Sequence, residues 1–160
     1  MPWLSGAVVT LLISFACAFI YLFPVTDLPT PSGKHAVGSK IFELTDNSRL
    51  GIFEAKDDEP RRLLVRVWYP AGDISGLTPR NYFTDKEADT TATGAGKMLG
   101  APFLFQYIKH SVTNAYANAP LLKNNDKNKF PVVIYSHGYI SFASQNTALM
   151  EELASHGYIV

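Results

Sequence analysis

Residues 130–160 read FPVVIYSHGYISFASQNTALMEELASHGYIV, which is an apolar run, a polar turn, a helical pattern and a second apolar run. The first run, Phe130–Tyr135, is rich in β-branched residues and is entered through Pro131, which strands tolerate only at a beginning or edge. We therefore predict a buried strand there. The Ser136–Gly138 turn follows it, and open α/β sheets bind ligands at the carboxyl ends of their strands.

A helix is predicted after this turn, with Ser141 or Ser144 as its N-cap. Leu149 and Leu153 lie four residues apart, which is the spacing of one helix face, and Met150 and Ala154 lie beside them. Gly157 stands where a C′ glycine would end the helix, and strand-forming residues follow it. The order of strand, turn, helix and strand indicates an α/β fold.

Two earlier segments also predict strands. Lys40–Thr45 alternates apolar and polar residues and should end at Thr45–Ser48, whose Asp and Asn favour a turn. Arg61–Tyr69 is a second strand, and its two faces carry Leu63, Val65, Val67 and Tyr69 against Leu64, Arg66 and Trp68. We expect these strands to pair antiparallel at the edge of the sheet, with Phe130–Tyr135 as the third strand.

The segment between the second and third predicted strands, Gly72–Lys129, is too long for an idle connection. Its most apolar part, Met98–Val112, is predicted to form a helix after Pro102 that either packs on the core or lines a lipid site. His35 and His110 are interpreted as surface or packing residues, because no cluster with metal-ligand spacing accompanies either.

The N-terminal stretch Trp3–Phe23 carries no charged residue and is long enough for a helix to cross the hydrocarbon core of a bilayer. Trp3 and Tyr21 stand near its ends, where interfacial aromatic residues are common. A cleaved signal peptide is the alternative, since Ala16–Ala18 offers a small-residue cleavage site. Signal peptides, however, start with a basic region, which this stretch lacks.

The charge balance and the cysteine count argue against several classes of function. The chain has 14 basic and 14 acidic side chains, so its net charge is zero and it has no basic stripe for nucleic acid. Cys17 is the single cysteine, which excludes a disulfide within the chain and a cysteine-based metal site. Pro24–Gly33 is rich in proline and is expected to form an extended stalk.

Several blocks of sequence together resemble the platelet-activating-factor acetylhydrolase family of α/β-hydrolases, in the same order along the chain. The blocks are Pro31–Arg49, Arg61–Ala71, Asn118–Leu122, Pro131–Gly138 and Glu152–Val160. The resemblance implies an α/β fold, the N-terminal portion of an α/β-hydrolase sheet. Two antiparallel strands and the start of the parallel sheet would be preceded by one transmembrane helix.

The domain organisation follows from this resemblance and from the hydropathy pattern. Residues 1–23 would be a transmembrane anchor or signal segment, residues 24–37 a stalk, and residues 38–160 an incomplete α/β-hydrolase domain. The expected location is a single-pass membrane protein, or a secreted protein after signal cleavage.

The resemblance also assigns one site residue. In such hydrolases the backbone N–H of the residue after His-Gly points into the oxyanion hole, which makes Tyr139 the candidate here. The resemblance leads us to expect an aliphatic residue at this position. The tyrosine would therefore affect which acyl group is preferred and not the mechanism. His137 is expected to brace the turn. The alternative is that Ser136–Tyr139 is only a tight loop.

The rest of the catalytic machinery is not expected in this sequence. The Gly-x-Ser-x-Gly elbow that carries the nucleophile in this fold is absent, and GDISG at Gly72–Gly76 has its serine in the wrong place. The family's serine, acid and histidine follow the strand at which the sequence stops. The resemblance therefore implies a fragment that is inactive on its own.

The complete enzyme implied by the resemblance is a serine esterase that needs no metal or cofactor. It would hydrolyse the sn-2 acetyl or short-acyl ester of phospholipids like platelet-activating factor, with membrane contact through residues 3–23 and no nucleic-acid partner. The alternatives are a general carboxylesterase or dienelactone-hydrolase-like enzyme, and a membrane-tethered binding protein without catalysis.

Overall fold

The computed structural model describes residues 2–22, 27–51, 59–98, 100, 108–123, 129–138 and 142–160. In order along the chain, the elements in these ranges are α1 (Pro2–Leu22), β1 (Val37–Leu50), β2 (Pro60–Pro70), β3 (Pro79–Asn81), α2 (Asp85–Met98), β4 (Val112–Ala117) and α3 (Thr147–Ser155). The strands form one mixed sheet in the order β2-β1-β4-β3.

The antiparallel pairing of the first two predicted strands is present. Val37 lies opposite Pro70, and the register continues to Asp46 opposite Arg61. The pair differs from the prediction in its position, because β1 lies between β2 and β4 and is not at the edge of the sheet. Strand β1 is also longer than predicted, because it continues through the predicted turn at Thr45–Ser48 to Leu50. The turn residues are present as an irregularity within the strand: the Asp46 side chain accepts from the Ser48 N–H, and the register shifts after Asp46.

The long segment 72–129 contributes two strands and a helix that the sequence pattern did not predict. Strand β4 pairs parallel with β1 over Val37–Ser39, and β3 pairs antiparallel with β4. The predicted helix after Pro102 lies mostly outside the described residues. The insertion therefore completes the sheet on the side of β1 away from β2.

The third predicted strand is present as an extended segment with one parallel bridge among the described residues, Val132 to Ile159. The prediction that this strand is buried is wrong in this structure, because Val132 and Ile134 are 66% and 93% exposed. The Ile159 N–H donates to the Pro131 carbonyl at 2.9 Å, and the Val133 N–H donates to the Ile159 carbonyl at 2.8 Å. The next residue, Val160, pairs with Trp68 of β2. Residues 159–160 therefore lie between β2 and the segment that leads to the Ser136–Gly138 turn.

Helix α3 begins later than either predicted N-cap. Its N-cap position is Asn146, with a positive φ of 60°, and Ser144 is fully buried before the helix starts. The prediction for Gly157 is confirmed: it has a φ of +100° and donates its N–H to Ala154 O at 3.0 Å. Tyr158 donates to Leu153 O, which completes a Schellman motif.

The core lies where α3 covers the sheet, and its buried members are Val37, Trp68, Ala115, Met150 and Ala154. Within the predicted helical pattern of α3, Met150 and Ala154 are buried, whereas Leu149 is 52% exposed.

The described part of the predicted stalk is tied to the domain. His35 donates its backbone N–H to Ser155 O at 3.1 Å, and the Ser32 N–H donates to the Glu152 carboxylate at 2.8 Å. Gly33 is necessary there because a Cβ would overlap the backbone of Ser155. Residues 28–35 therefore pack along α3 and β4 and do not extend freely.

Helix α1 contains one stretch that could cross a membrane by length and composition. Ser5–Leu22 has a mean hydropathy of 2.1 and is not buried against the rest of the chain. A signal sequence has the same properties, so the helix agrees with both alternatives raised by the sequence.

Candidate functional site

The Ser136–Gly138 turn lies at the end of the extended segment that pairs with Ile159. All three of its residues are exposed. The Nδ1 atom of His137 lies 3.0 Å from the carbonyl oxygen of Gly138, which is a contact within the turn itself. Tyr139, the candidate oxyanion donor, lies outside the described residues.

The chain after the turn is held through Ser144, which is fully buried. Its carbonyl oxygen accepts from the Tyr82 hydroxyl at 2.6 Å and from the Thr147 hydroxyl at 2.7 Å, and its own hydroxyl accepts from Arg66. Two residues earlier, the ring of Phe142 packs 5.6 Å from the ring of Phe83.

Arg66 and Glu87 form a charge pair beside this segment that sequence reasoning missed. The Arg66 side chain is 1% exposed and its Nη2 lies 3.1 Å from each carboxylate oxygen of Glu87. Two signals could have revealed the pair: an arginine inside an apolar strand, and the Thr84-x-x-Glu87 capping box. The structure has both bonds of that box, from Thr84 N–H to Glu87 and from Glu87 N–H to Thr84.

The electrostatics of the pair favour the charged carboxylate. Burial alone would raise the pKa of Glu87, but the backbone N–H of Thr84 and the positive charge of Arg66 outweigh burial and lower it. Arg80 lies near the same pair, and burial together with the Arg66 charge lowers the pKa of Arg80 to about 10. Three charged side chains, those of Arg66, Arg80 and Glu87, therefore lie close together near Ser144.

Two cavities are lined by residues that precede or follow the Ser136–Gly138 turn. One, of about 370 Å³, lies between Leu64–Trp68 of β2 and Val132–Tyr135, with His137 at its rim. The other, of about 500 Å³, lies between α2 and the sheet, with Ile41, Leu64, Phe83 and Phe142 among its walls. Most of the exposed wall area of the larger cavity is apolar, although Thr84, Lys86 and Glu87 also line it. This cavity lies beside Phe142, in the segment that follows the turn.

The histidines do not form a metal centre in the described part of the chain, where no cluster of three or more His, Cys, Asp or Glu could hold an ion. His35 packs edge-on against Phe130 with ring centroids 6.4 Å apart, and His110 is exposed. Burial and the charge of Lys34 lower the pKa of His35, which favours the neutral ring.

Comparison with known proteins gives concordant results. The family model described as platelet-activating factor acetylhydrolase, isoform II, matches residues 21–160. Platelet-activating factor acetylhydrolase from Canis lupus familiaris is 28% identical over 143 residues, which is 83% of this chain and 27% of that protein. The enzyme of the same name from Cavia porcellus is 33% identical over 60% of this chain and 22% of its own length.

A solved structure agrees with the sequence relatives in fold. The ferulic acid esterase from Streptomyces cinnamoneus superposes with a TM-score of 0.62 at 25% identity, over 85% of this chain and 35% of that one. The chain spans about a quarter of the length of the curated relatives it matches. Because the family model covers every residue after α1, the chain belongs to the platelet-activating factor acetylhydrolase, isoform II, family.

Proposed function

We propose that this chain supplies the N-terminal part of a serine ester hydrolase that acts on the sn-2 acetyl or short-acyl ester of phospholipids like platelet-activating factor. The position of the Ser136–Gly138 turn carries the proposal. The turn follows a segment that pairs with Ile159, so it stands at a strand end, where open α/β sheets bind their ligands. Family membership over residues 21–160 supports ester chemistry at this place.

Tyr139 is proposed to supply one oxyanion donor through its backbone N–H. Attack on an ester places negative charge on the former carbonyl oxygen, and one fixed donor there is worth about 3–4 kcal/mol. Because the donor is a backbone group, the tyrosine side chain would influence which acyl group fits and not the chemistry. His137 is exposed and contacts Gly138, which suits a residue that braces the turn.

The cavity beside Phe83 and Phe142 is the proposed site for the acyl chain. Its volume of about 500 Å³ is within the range of small-molecule sites, and its walls are mostly apolar. Phe142 follows Tyr139 by three residues, so at most about 11 Å of chain separates the proposed donor from this wall. A short acyl group attached to the reacting carbonyl could therefore enter it.

The nucleophile, the acid and the catalytic histidine are proposed to belong to sequence outside residues 1–160. The sequence has no Gly-x-Ser-x-Gly elbow. The matched relatives have roughly three quarters of their length beyond the matched region, since the matches cover 27% and 22% of them. Covalent ester hydrolysis needs a nucleophile within hydrogen-bond reach of a base. Residues 1–160 alone are therefore expected to be inactive.

Helix α1 is proposed to anchor the enzyme in a membrane, close to a phospholipid substrate. Its length and its mean hydropathy of 2.1 support this role. Secretion after cleavage of the same segment is the alternative location. Both place the enzyme where phospholipid or ester substrates are available, and no nucleic-acid partner is proposed.

The test is ester hydrolysis by the complete gene product purified in detergent. Phosphatidylcholines with an sn-2 acetyl or an sn-2 palmitoyl group are compared at equal concentration. We expect preferential release of acetate, and loss of activity after labelling with a fluorophosphonate that reacts with activated serines. Folded protein that hydrolyses neither ester and takes up no label would exclude the enzyme and favour a membrane-tethered binding protein.

A general carboxylesterase is the second candidate, because the fold also matches a ferulic acid esterase. The same preparation is assayed with methyl ferulate and p-nitrophenyl butyrate. Turnover of these simple esters that exceeds turnover of the sn-2 acetyl phospholipid would establish this candidate in place of the phospholipid esterase.

A further inference from the structure

Arg66 places a guanidinium group in the interior, on the face of β2 that α3 covers. Its side chain is 1% exposed and its guanidinium carbon lies 6.0 Å from the centre of the Trp68 ring. A buried charge is costly unless it is paired and fully hydrogen-bonded. The hydrogen-bond partners of Arg66 therefore indicate its structural role.

The two terminal nitrogens of Arg66 contact two different parts of the chain. Nη2 lies 3.1 Å from both carboxylate oxygens of Glu87 in the first turn of α2. Nη1 donates to the Ser144 hydroxyl and, at 3.3 Å, to the Tyr82 carbonyl. Arg66 thus connects β2 to α2 and to residues 142–146.

Ser144 is the point at which residues 142–146 are attached. It is fully buried, and its hydroxyl and carbonyl oxygens accept from Arg66, Tyr82 and Thr147. Loops without such bonds move most easily, because few buried contacts resist local opening. Donors from β2, from the connection between β3 and α2, and from α3 converge on one serine, so the residues after the turn have a defined position.

Stability alone does not account for this arrangement. The Arg66 side chain is buried and that of Glu87 is 28% exposed, and the cost of removing the arginine charge from water offsets much of its attraction to the carboxylate. The Nε atom of Arg66 is buried and has no hydrogen-bond partner among the described residues, which adds a further cost. A planar guanidinium with several fixed donors is, however, well suited to hold two partners in one geometry.

We propose that Arg66 is a positioning residue for ester hydrolysis. It binds Ser144 and thereby fixes residues 142–146, which follow the Ser136–Gly138 turn in the sequence. This inference rests on the proposed function, which gives that turn its oxyanion role. Placement matters there because a displacement of about 1 Å can reduce the rate of a positioned reaction about 100-fold.

The experiment compares Arg66→Lys and Ser144→Ala with Arg62→Lys in the complete gene product. Arg62→Lys is the matched control, because Arg62 lies on the same strand and its pair with Glu43 is exposed. Ser144→Ala removes the hydroxyl that Arg66 contacts and leaves the Arg66–Glu87 pair in place, so it tests positioning even where Arg66→Lys lowers the yield of folded protein. The readouts are kcat, KM and amide hydrogen exchange, each normalised to folded protein.

For Arg66→Lys and Ser144→Ala we expect kcat to fall about tenfold and KM to change less than about twofold. The expected fall in kcat is smaller than the roughly 100-fold loss caused by a displacement of about 1 Å. Hydrogen exchange should accelerate over residues 142–146 and stay unchanged in β1, and Arg62→Lys should alter none of these quantities. Unchanged kcat and unchanged exchange over residues 142–146 in both variants would overturn the proposal. If the wild type hydrolyses no ester, the proposed function fails separately, and exchange over residues 142–146 decides whether Arg66 holds this segment.

Discussion

Val160 and Trp68 exchange both of their backbone hydrogen bonds, at N–H to carbonyl distances of 2.9 and 3.0 Å. Such a mutual exchange identifies an antiparallel pair. The neighbouring Ile159 pairs in parallel with Val132 on its other side. The Ser136–Gly138 turn is therefore connected to β2 through a short stretch of sheet, residues 159–160, which follows α3 in the sequence.

Gly38 provides a first test of how closely β1 and β2 pack. It lies opposite Tyr69, and a Cβ at this position would overlap the Tyr69 ring, whose hydroxyl donates to Ala119 O at 2.7 Å. We expect Gly38→Ala to lower the free energy of unfolding by about 1–3 kcal/mol, because the ring must move from a packed position.

The matched control for that substitution is Gly94→Ala. Gly94 lies in α2, is exposed, and has open space where a Cβ would be placed. Alanine there should raise the free energy of unfolding by about 0.5–1 kcal/mol, because glycine is a poor helix former. Urea unfolding in detergent measures both. Equal effects of the two alanines would contradict the predicted overlap at Gly38.

Glu151 provides a second test, because it is a fully buried carboxylate on α3. Its oxygens lie 3.2 Å from the Asn114 backbone nitrogen, and one accepts from the Asn114 side-chain amide at 3.1 Å. A glutamine would turn its own NH₂ group toward these donors. We expect Glu151→Gln to lower the free energy of unfolding by about 1–3 kcal/mol at pH 7.

The pH dependence of this effect has a definite sign. Burial raises the pKa of Glu151, and the hydrogen bonds from Asn114 only partly oppose that rise. A group whose pKa is higher in the folded state stabilises the fold at low pH and loses this contribution as the pH rises through the folded pKa. The stability difference between the wild type and Glu151→Gln should therefore grow as the pH falls from 7 to 4.5, the ordinary glutamate pKa. Glu43→Gln, on an exposed glutamate, is the control, and a constant difference over this range would refute the assignment.

The sequence predicted best where a local signal has a single structural meaning. Gly157 was correctly placed because a glycine after a helical pattern favours the left-handed C′ position, and the β1–β2 pair was predicted from alternation in Arg61–Tyr69. The turn at Ser136 was similarly marked by the change from apolar to polar residues.

The errors occurred where tertiary contacts decide between local options. Ser144 is a good N-cap by residue type, but Arg66 and Tyr82 draw it into the interior before α3 begins. The two strands and the helix of segment 72–129 had no strong periodic pattern, because β3 is only three residues long and β4 six. Arg66 itself was assigned to a strand face. The Thr84-x-x-Glu87 capping box marks Glu87 in the sequence, but it does not show that Glu87 pairs with an arginine 21 residues away.

The proposed membrane anchor makes a third testable prediction. Ile13 lies in the middle of the apolar stretch Ser5–Leu22, where an arginine costs about 2.5–3.5 kcal/mol in bilayer insertion. We expect the wild type to stay in the membrane pellet after carbonate extraction with residues 1–22 intact by mass spectrometry, and Ile13→Arg to shift toward the soluble fraction. Leu44→Arg, at an exposed position of β1, should remain in the pellet. A mature chain that begins just after Ala18 would instead establish a cleaved signal.

The contact between Glu152 and Ser32 gives a pH-dependent prediction for the segment that follows α1. The Glu152 carboxylate accepts from the Ser32 N–H at 2.8 Å and from the Ser32 hydroxyl, and it lies 3.0 Å from the His156 Nε2. These hydrogen bonds, first those from Ser32 and then that from His156, lower the pKa of Glu152 from its ordinary value of 4.5.

Because the pKa of Glu152 is lower in the folded state, its contribution is complete above pH 4.5 and is lost as the pH falls through the folded pKa. Protonation removes the charge that the Ser32 donors favour, so the contact between Ser32 and α3 should weaken in acid, while the bond from the His35 N–H to Ser155 O does not depend on Glu152. The Ser32 amide resonance should move between pH 6 and pH 3 in the wild type and in the Glu43→Gln control. In Glu152→Gln it should already have its low-pH position at pH 6. A Ser32 resonance that does not move with pH in the wild type would show that Glu152 does not control the attachment of this segment.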